Sequence, residues 1–199
     1  MRGIYTFVVK PKGERYNNKK KVGEKELILN TEVYNHQYVN REAIVTAVPI
    51  ALETKVKVGD TVIVHHNVFR RWHNQHAVEK NSASYFDEDI YIVPPDQIFA
   101  YNDGDGWKPL GGFCFIQPLK ETNPLYTNKE RLIGIVVYSD GTINEGDLVR
   151  FKPLGQYEFI IDGKRLYRVK LRHITIKYEY QGNEEEYNPS WAESSGRAD

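Results

Sequence analysis

Apolar residues in this chain fall in short runs. Val, Ile, Tyr, Phe and Thr recur within the runs, and clusters of Gly, Asn, Asp and Pro separate them. That punctuation predicts strands rather than helices. The clearest are Tyr5–Lys10, Glu42–Val48, Thr61–His65, Asp89–Val93, Ile98–Tyr101, Gly112–Gln117, Gly134–Tyr138, Leu148–Phe151, Glu158–Ile161, Lys164–Val169 and Ile174–Tyr180. Asp162-Gly163, between Ile161 and Lys164, suits the positive φ angles of a tight type I′ hairpin. No stretch longer than ten residues keeps a helical period along its whole length. The expected class is all-β. Two segments read differently. Lys12–Lys25 is polar, with Lys19-Lys20-Lys21 at its centre, and reads as a solvated loop. Residues 181–199 carry Glu184-Glu185-Glu186 and read as a disordered acidic tail, with Trp191 as its one large apolar group.

The strands repeat in order. Val8-Val9-Lys10-Pro11 matches Phe115-Ile116-Gln117-Pro118, and Ala43-Ile44-Val45 matches Gly134-Ile135-Val136. Val58-Gly59-Asp60-Thr61-Val62 matches Glu145-Gly146-Asp147-Leu148-Val149. Tyr91-Ile92-Val93 matches Tyr167-Arg168-Val169, and Ile98-Phe99-Ala100 matches Ile174-Thr175-Ile176. The spacing between matched segments shrinks from 107 to 76 residues, which places insertions in the first copy. The expected organisation is two tandem small β-barrels, residues 1–103 and 107–180. Asn102-Asp103-Gly104-Asp105-Gly106 is the connector, and the acidic tail follows. The first copy carries a long loop at 12–40 and a second insertion at 67–86. Closure into barrels would remove exposed strand edges.

Composition narrows the function. Lys plus Arg and Asp plus Glu are both 27 in 199 residues, so the formal net charge is zero. That argues against a dedicated nucleic-acid binder, which usually carries a basic excess. The balance hides a basic stretch over Lys10–Lys25 and an acidic tail. A lone Cys114 excludes a disulfide framework and a Cys-rich zinc site, and fits a reducing compartment. No run approaches the ~20 apolar residues that span a bilayer, and the start of the chain lacks a cleavable leader pattern. A soluble cytoplasmic protein is expected.

Candidate chemistry is sparse. His65, His66, His73 and His76 fall within twelve residues, but no Cys or well-spaced carboxylate completes a metal site. An exposed polar loop after a strand accounts for them. Arg70, Arg71 and Trp72 suggest phosphate contact plus stacking, or a protein contact, the latter being more economical in a neutral chain. Asp87, Glu88 and Asp89 read as a solvated turn. No phosphate-cradling glycine loop or nucleophile elbow is present, so no catalytic residue, metal or cofactor is assigned.

The ordered features of each copy resemble chaperonin-10, the GroES-type co-chaperonin family. A first strand ends in Val-Lys-Pro or a similar run, a loop follows, then a strand, a Gly-Asp turn, a hairpin and a last strand. Here these are Val9-Lys10-Pro11, Val58-Gly59-Asp60-Thr61-Val62 and Asp96-Gln97-Ile98-Phe99-Ala100-Tyr101 in copy one. Copy two offers Glu145-Gly146-Asp147-Leu148-Val149, Asp162–Val169 and Arg172–Ile176. The resemblance implies a non-enzymatic lid that caps an ATP-driven GroEL-type chaperonin ring around an unfolded client. ATP would be bound by the partner. It also implies self-assembly into a ring, seven-fold in the family. Family lids grip the chaperonin with an apolar tripeptide in a mobile loop, and Leu27-Ile28-Leu29 takes that place. The same residues read equally as a strand. Two glycines usually precede the tripeptide, whereas Gly23 stands alone here. Copy two, with Pro124-Leu125-Tyr126, lacks such a cluster. Enlarged lids of this kind resemble those of large bacteriophages, which fold capsid protein. Two alternatives stay open: a structural or virion protein reusing the barrels, and a small-barrel nucleic-acid binder using Arg70, Arg71 and Trp72.

Overall fold

The computed structural model of the chain describes residues 1–17, 19–22, 25–28, 38–119, 133–152 and 157–179, with 19–22 and 25–28 described by their backbone. Leu29, most of the 120–131 loop and the tail from 181 to 199 lie outside the described residues. The protein is all-β. Among the described residues the helical backbone consists of single 3-10 turns at His66–Val68, Pro95–Gln97 and Leu171–His173. Two compact units, Met1–Trp107 and Lys108–Asp199, make up the chain.

The first unit has strands β1 (Phe7–Pro11), β2 (Lys19–Val22), β3 (Lys25–Ile28), β4 (Glu42–Ala47), β5 (Thr61–Val64), β6 (Arg71–His73), β7 (Glu79–Asn81), β8 (Tyr85–Asp87), β9 (Ile90–Val93) and β10 (Ile98–Asn102). β11 (Trp107–Pro109) runs across the division. The main sheet has the order β11-β10-β5-β4-β1-β9-β8, while β2-β3 and β6-β7 form separate hairpins. The second unit has β12 (Phe113–Pro118), β13 (Ile133–Tyr138), β14 (Leu148–Phe151), β15 (Tyr157–Ile161), β16 (Lys164–Lys170) and β17 (Ile174–Tyr178), in the order β15-β16-β12-β13-β14-β17.

Read from the last strand inwards, the two sheets have one plan. β10-β5-β4-β1-β9-β8 and β17-β14-β13-β12-β16-β15 correspond strand for strand. The correspondence holds at single-residue register. Val9 faces Val45 and Pro11 faces Ala43, while Ile116 faces Val136 and Pro118 faces Gly134. In both units the register slips at the same point, between Val8 and Val9 and between Phe115 and Ile116. The last strands slip alike, between Ile98 and Ala100 and between Arg150 and Phe151 on the strand that pairs Ile174. Such slips bend a sheet and fix its register.

The turn before the third ladder strand is also duplicated, bond for bond. Gly59 N–H donates to Val45 O (2.8 Å), and Val45 N–H donates to Asp60 O (3.0 Å). Gly146 N–H donates to Val136 O (2.7 Å), and Val136 N–H donates to Asp147 O (2.9 Å). The Asp60 carboxylate accepts from Lys57 N–H at 2.7 Å, and that of Asp147 accepts from Asn144 N–H at 3.3 Å. Gly59 and Gly146 have φ of 96° and 87°, a left-handed conformation that glycine adopts without a Cβ clash.

Alternation supplies the cores. In unit two Cys114, Ile116, Val136, Val149, Phe151 and Val169 form a buried cluster with Tyr167 and Ile174 packed against it. The same ladder positions in unit one carry Phe7, Val9, Val45, Val62, Val64 and Val93, all buried. Burial of each such side chain contributes about 1.5–3 kcal/mol.

Two expectations change. The sheets are open ladders rather than closed barrels. Eight strands give a barrel interior just wide enough for side chains, and a closed ring of six would be too narrow for the aromatic groups packed here, Phe151 among them. The polar Lys12–Lys25 stretch is not wholly loop, since β2 pairs with β3 from Lys19↔Ile28 to Val22↔Lys25. Lys21 and Glu26 share a register position there, an opposite-charge placement that favours pairing without an apolar face.

Candidate partner-binding site

Both elaborations of the first unit leave the sheet from short, polar segments. The longer departs after β1 and returns at β4. Its two legs are tied at the base. Lys12 N–H donates to Glu42 O (3.0 Å), Asn40 N–H to Arg15 O (2.9 Å) and Asn17 N–H to Tyr38 O (2.7 Å). Tyr16 and Val39 form an antiparallel bridge at this neck, and both are buried. Asn40, also buried, satisfies three backbone groups. Its amide donates to Lys12 O (2.9 Å) and Glu14 O (2.8 Å), and its Oδ1 accepts from Glu42 N–H (2.9 Å). A side chain with two donors and an acceptor suits a site where backbone groups would otherwise be left unpaired. Lys12 and Glu42 add an ion pair at 2.8 Å.

The second elaboration is the β6-β7 hairpin, with Arg71↔Asn81, Trp72↔Lys80 and His73↔Glu79 in register. Asn74 shapes its tip. Asn74 Oδ1 accepts from His76 N–H and Val78 N–H, both at 3.0 Å, and Ala77 turns with φ of 57°. Arg71 pairs with Glu79 at 3.0 Å. Trp72 is 45% exposed, Val78 50% and Phe86 56%, so this side of unit one presents large apolar groups to solvent.

Arg15 and Tyr16 join the two. Arg15 donates through Nη1 to Asn81 Oδ1 (2.9 Å) and through Nη2 to Phe69 O (3.0 Å), thereby holding both legs of the insertion. Its guanidinium lies 5.4 Å from the Tyr91 ring centroid and 5.7 Å from that of Tyr85. Tyr16 Oη accepts from Arg71 N–H at 2.7 Å, and the Arg71 guanidinium lies 5.0 Å from the Tyr16 ring. Underneath, Phe69 and Tyr91 meet edge-on at 4.7 Å. Burial pushes the Tyr91 phenol up to about 12, an effect that the Arg15 charge opposes.

No protein-family model matches the chain, and no curated protein matches it. The geometry therefore stands by itself.

Of the residues singled out in the sequence, Arg70, Arg71 and Trp72 lie at the start of the insertion hairpin. Arg70 and Arg71 are half-buried and Trp72 is exposed. Leu27 and Ile28 lie in β3, opposite Lys20 and Lys19. The histidines are dispersed in role. His65 Nδ1 accepts from Asn67 N–H at 3.1 Å and so caps a 3-10 turn, and the His65 and His66 rings stack at 4.3 Å. His73 is in β6 and His76 in the hairpin tip. Among the described residues no group of three or more His, Cys, Asp or Glu is placed to hold a metal. Asp87 and Asp89 shape the turn into β9: Asp87 Oδ1 accepts from Glu88 N–H at 2.8 Å, and Asp89 has φ of 55°.

Arg15, Tyr16, Asn40 and Asn81 are not among the residues that the sequence pointed to. One signal was present for Tyr16, the only aromatic residue between Lys12 and Lys25. An isolated aromatic in a polar run marks an anchoring point.

Proposed function

We propose that this protein is a co-chaperonin lid of the chaperonin-10 type. It would cap an ATP-driven chaperonin ring and help enclose a folding client, with phage capsid protein as the client class that enlarged lids suggest. The observation that carries this reading is the duplicated ladder. Each copy has the strand order, Gly-Asp turn, hairpin and 3-10-to-strand ending of the family resemblance, and only the first copy is elaborated between its first two ladder strands. The partner contact is assigned to Leu27, Ile28 and Leu29, at the end of the hairpin that this elaboration carries. The insertion with Arg70, Arg71 and Trp72 is assigned to lid–lid or lid–chaperonin contact. No catalytic residue or cofactor is assigned, and ATP chemistry would belong to the partner in the cytoplasm.

Weak single contacts become tight when a ring of them acts together. β17 supports self-association, since it ends its sheet and leaves Ile176 44% exposed. An edge strand of this kind is open to strand addition.

The test uses a purified GroEL-type ring, ATP and a stringent client. Wild type is expected to modulate the ring's ATPase and restore refolding. Replacing Leu27, Ile28 and Leu29 by Ser should abolish both while leaving the circular-dichroism spectrum and melting temperature within error. Full activity of the triple variant would refute the loop assignment. Wild type that neither binds the ring nor supports refolding would favour a structural protein. Salt-sensitive binding to oligonucleotides would favour the nucleic-acid reading.

A further inference from the structure

We infer that Arg15 and Tyr16 are positioning residues that make the β2-β3 hairpin and the β6-β7 insertion act as one partner-binding element. The identity of the partner rests on the co-chaperonin reading; the coupling itself does not.

Three observations carry it. First, the two elaborations occur in the same copy and are both reduced in the other. Twenty residues separate β5 from β8, whereas five separate β14 from β15 (152–156). Between the first two ladder strands lie thirty residues in unit one (12–41) and fourteen in unit two (119–132). Second, a single dipeptide at the neck bonds to both legs of the insertion, at Phe69, Arg71 and Asn81. Third, that dipeptide cannot shift alone. Its backbone is tied across the neck to Asn40 and Val39, and Arg15 sits over Tyr85 and Tyr91 of the main sheet. β2 begins two residues after Asn17, so a displacement of the hairpin is carried into Tyr16 with little slack.

Rigid, charge-assisted bonds carry displacement between elements that a flexible tether would absorb. A partner that seats the β2-β3 hairpin therefore also sets the orientation of Trp72, Val78 and Lys80. These exposed residues form a second contact area on the same protein partner. Binding by the hairpin alone would cost more ordering entropy than binding by a pre-docked pair.

Hydrogen exchange read by mass spectrometry tests this with R15K, which loses the guanidinium fork, and Y16F, which loses only the hydroxyl. In the free protein, each variant should speed amide exchange about tenfold in both Lys19–Ile28 and Arg71–Asn81, as expected for one charge-assisted or buried hydrogen bond. Exchange in β12, β13 and β14 should not change. On wild type, a GroEL-type ring with ADP should slow exchange at Lys25–Ile28 and at Arg71–Asn81 together. On Y16F it should slow the first segment only, with several-fold weaker binding. Loosening confined to Arg71–Asn81 in the free variants, or spread uniformly over all strands, would overturn the inference, because both are the marks of a merely structural contact. Ring binding to wild type that protects Lys25–Ile28 and leaves Arg71–Asn81 unmoved would overturn it while sparing the co-chaperonin reading. If the ring binds nothing, that reading fails, and the free-protein arm still decides the coupling.

Discussion

Gly134 shows how closely the second ladder is packed. It occupies the position of Ala43, yet a Cβ built on it would overlap the Gln117 carbonyl oxygen and crowd Ile116. Backbone cannot yield as a side-chain tip can. Gly134→Ala should therefore destabilise by roughly 1–3 kcal/mol, the usual cost of overpacking, measured by urea denaturation. Ionisation adds a second residue-scale expectation. Burial pushes the Cys114 thiol up to about 12, with Asp140 adding to the shift, and its Sγ donates to Val169 O at 3.6 Å. Burial, then Asp162, pushes the Tyr138 phenol up to about 12, and Tyr91 is likewise raised. These groups stay protonated in the fold at a pH where the unfolded chain releases their protons. The native state then binds more protons, so stability falls as pH rises. The contribution is complete below about pH 9, where the unfolded thiol begins to ionise, and is lost towards 12. Melting temperature should drop steadily from pH 9 upward, and Cys114→Ser should reduce the early part of that drop.

The element scale is where the duplication can be read twice in one molecule. Gly59 and Gly146 have open space around them, so a methyl at either position meets no neighbour and the cost lies in φ alone. Gly59→Ala and Gly146→Ala should each cost roughly 1–2 kcal/mol, the penalty of a left-handed L-residue. Similar values from the two variants in thermal unfolding would confirm that the turns are equivalent; a difference beyond 1.5 kcal/mol would show that they are not. These turns and their ladder strands were legible in the sequence because their information is local. Val58-Gly59-Asp60 and Glu145-Gly146-Asp147 need only a glycine, a carboxylate and alternating apolar residues. The elaborations were not legible for the opposite reason. β6 and β7 are three residues each and polar, and they exist because Asn74 closes their tip and Arg71 meets Glu79. Arg15 gains its role only when Phe69 and Asn81, more than fifty residues away, are brought to it. No period or composition announces such a bond. Barrel closure failed for a related reason, since strand patterning reports which faces are apolar and not whether the first and last strands meet.

At the scale of the whole molecule, zero net charge conceals a basic run over Lys10–Lys25 and an acidic stretch at Glu184-Glu185-Glu186. A basic run beside the assigned contact residues would speed encounter with an acidic partner, and the gain should shrink with salt. The assembly itself can be counted. Native mass spectrometry of the full chain should give a closed ring that adds to a chaperonin ring only when nucleotide is present. A strictly monomeric mass at micromolar concentration, with and without the chaperonin, would refute the ring. No helix among the described residues is long and apolar enough to cross a membrane.

The position of β1 has a consequence for how the chain is made. It lies inside its sheet, between β4 and β9, and Phe7 must wait for Val93. β12 holds the same inside place in the second sheet. Two first strands with one pairing code are therefore candidates for each other's partners, the standard hazard of tandem domains. Synthesis from the N-terminus resolves the ambiguity by timing. β9 leaves the ribosome before β12 exists, so β1 meets its own partner first. A chain diluted from urea has no such ordering, because both first strands compete from the same instant. Distant pairing of this kind is slow in any case, and the nascent chain has an advantage here that the denatured one lacks.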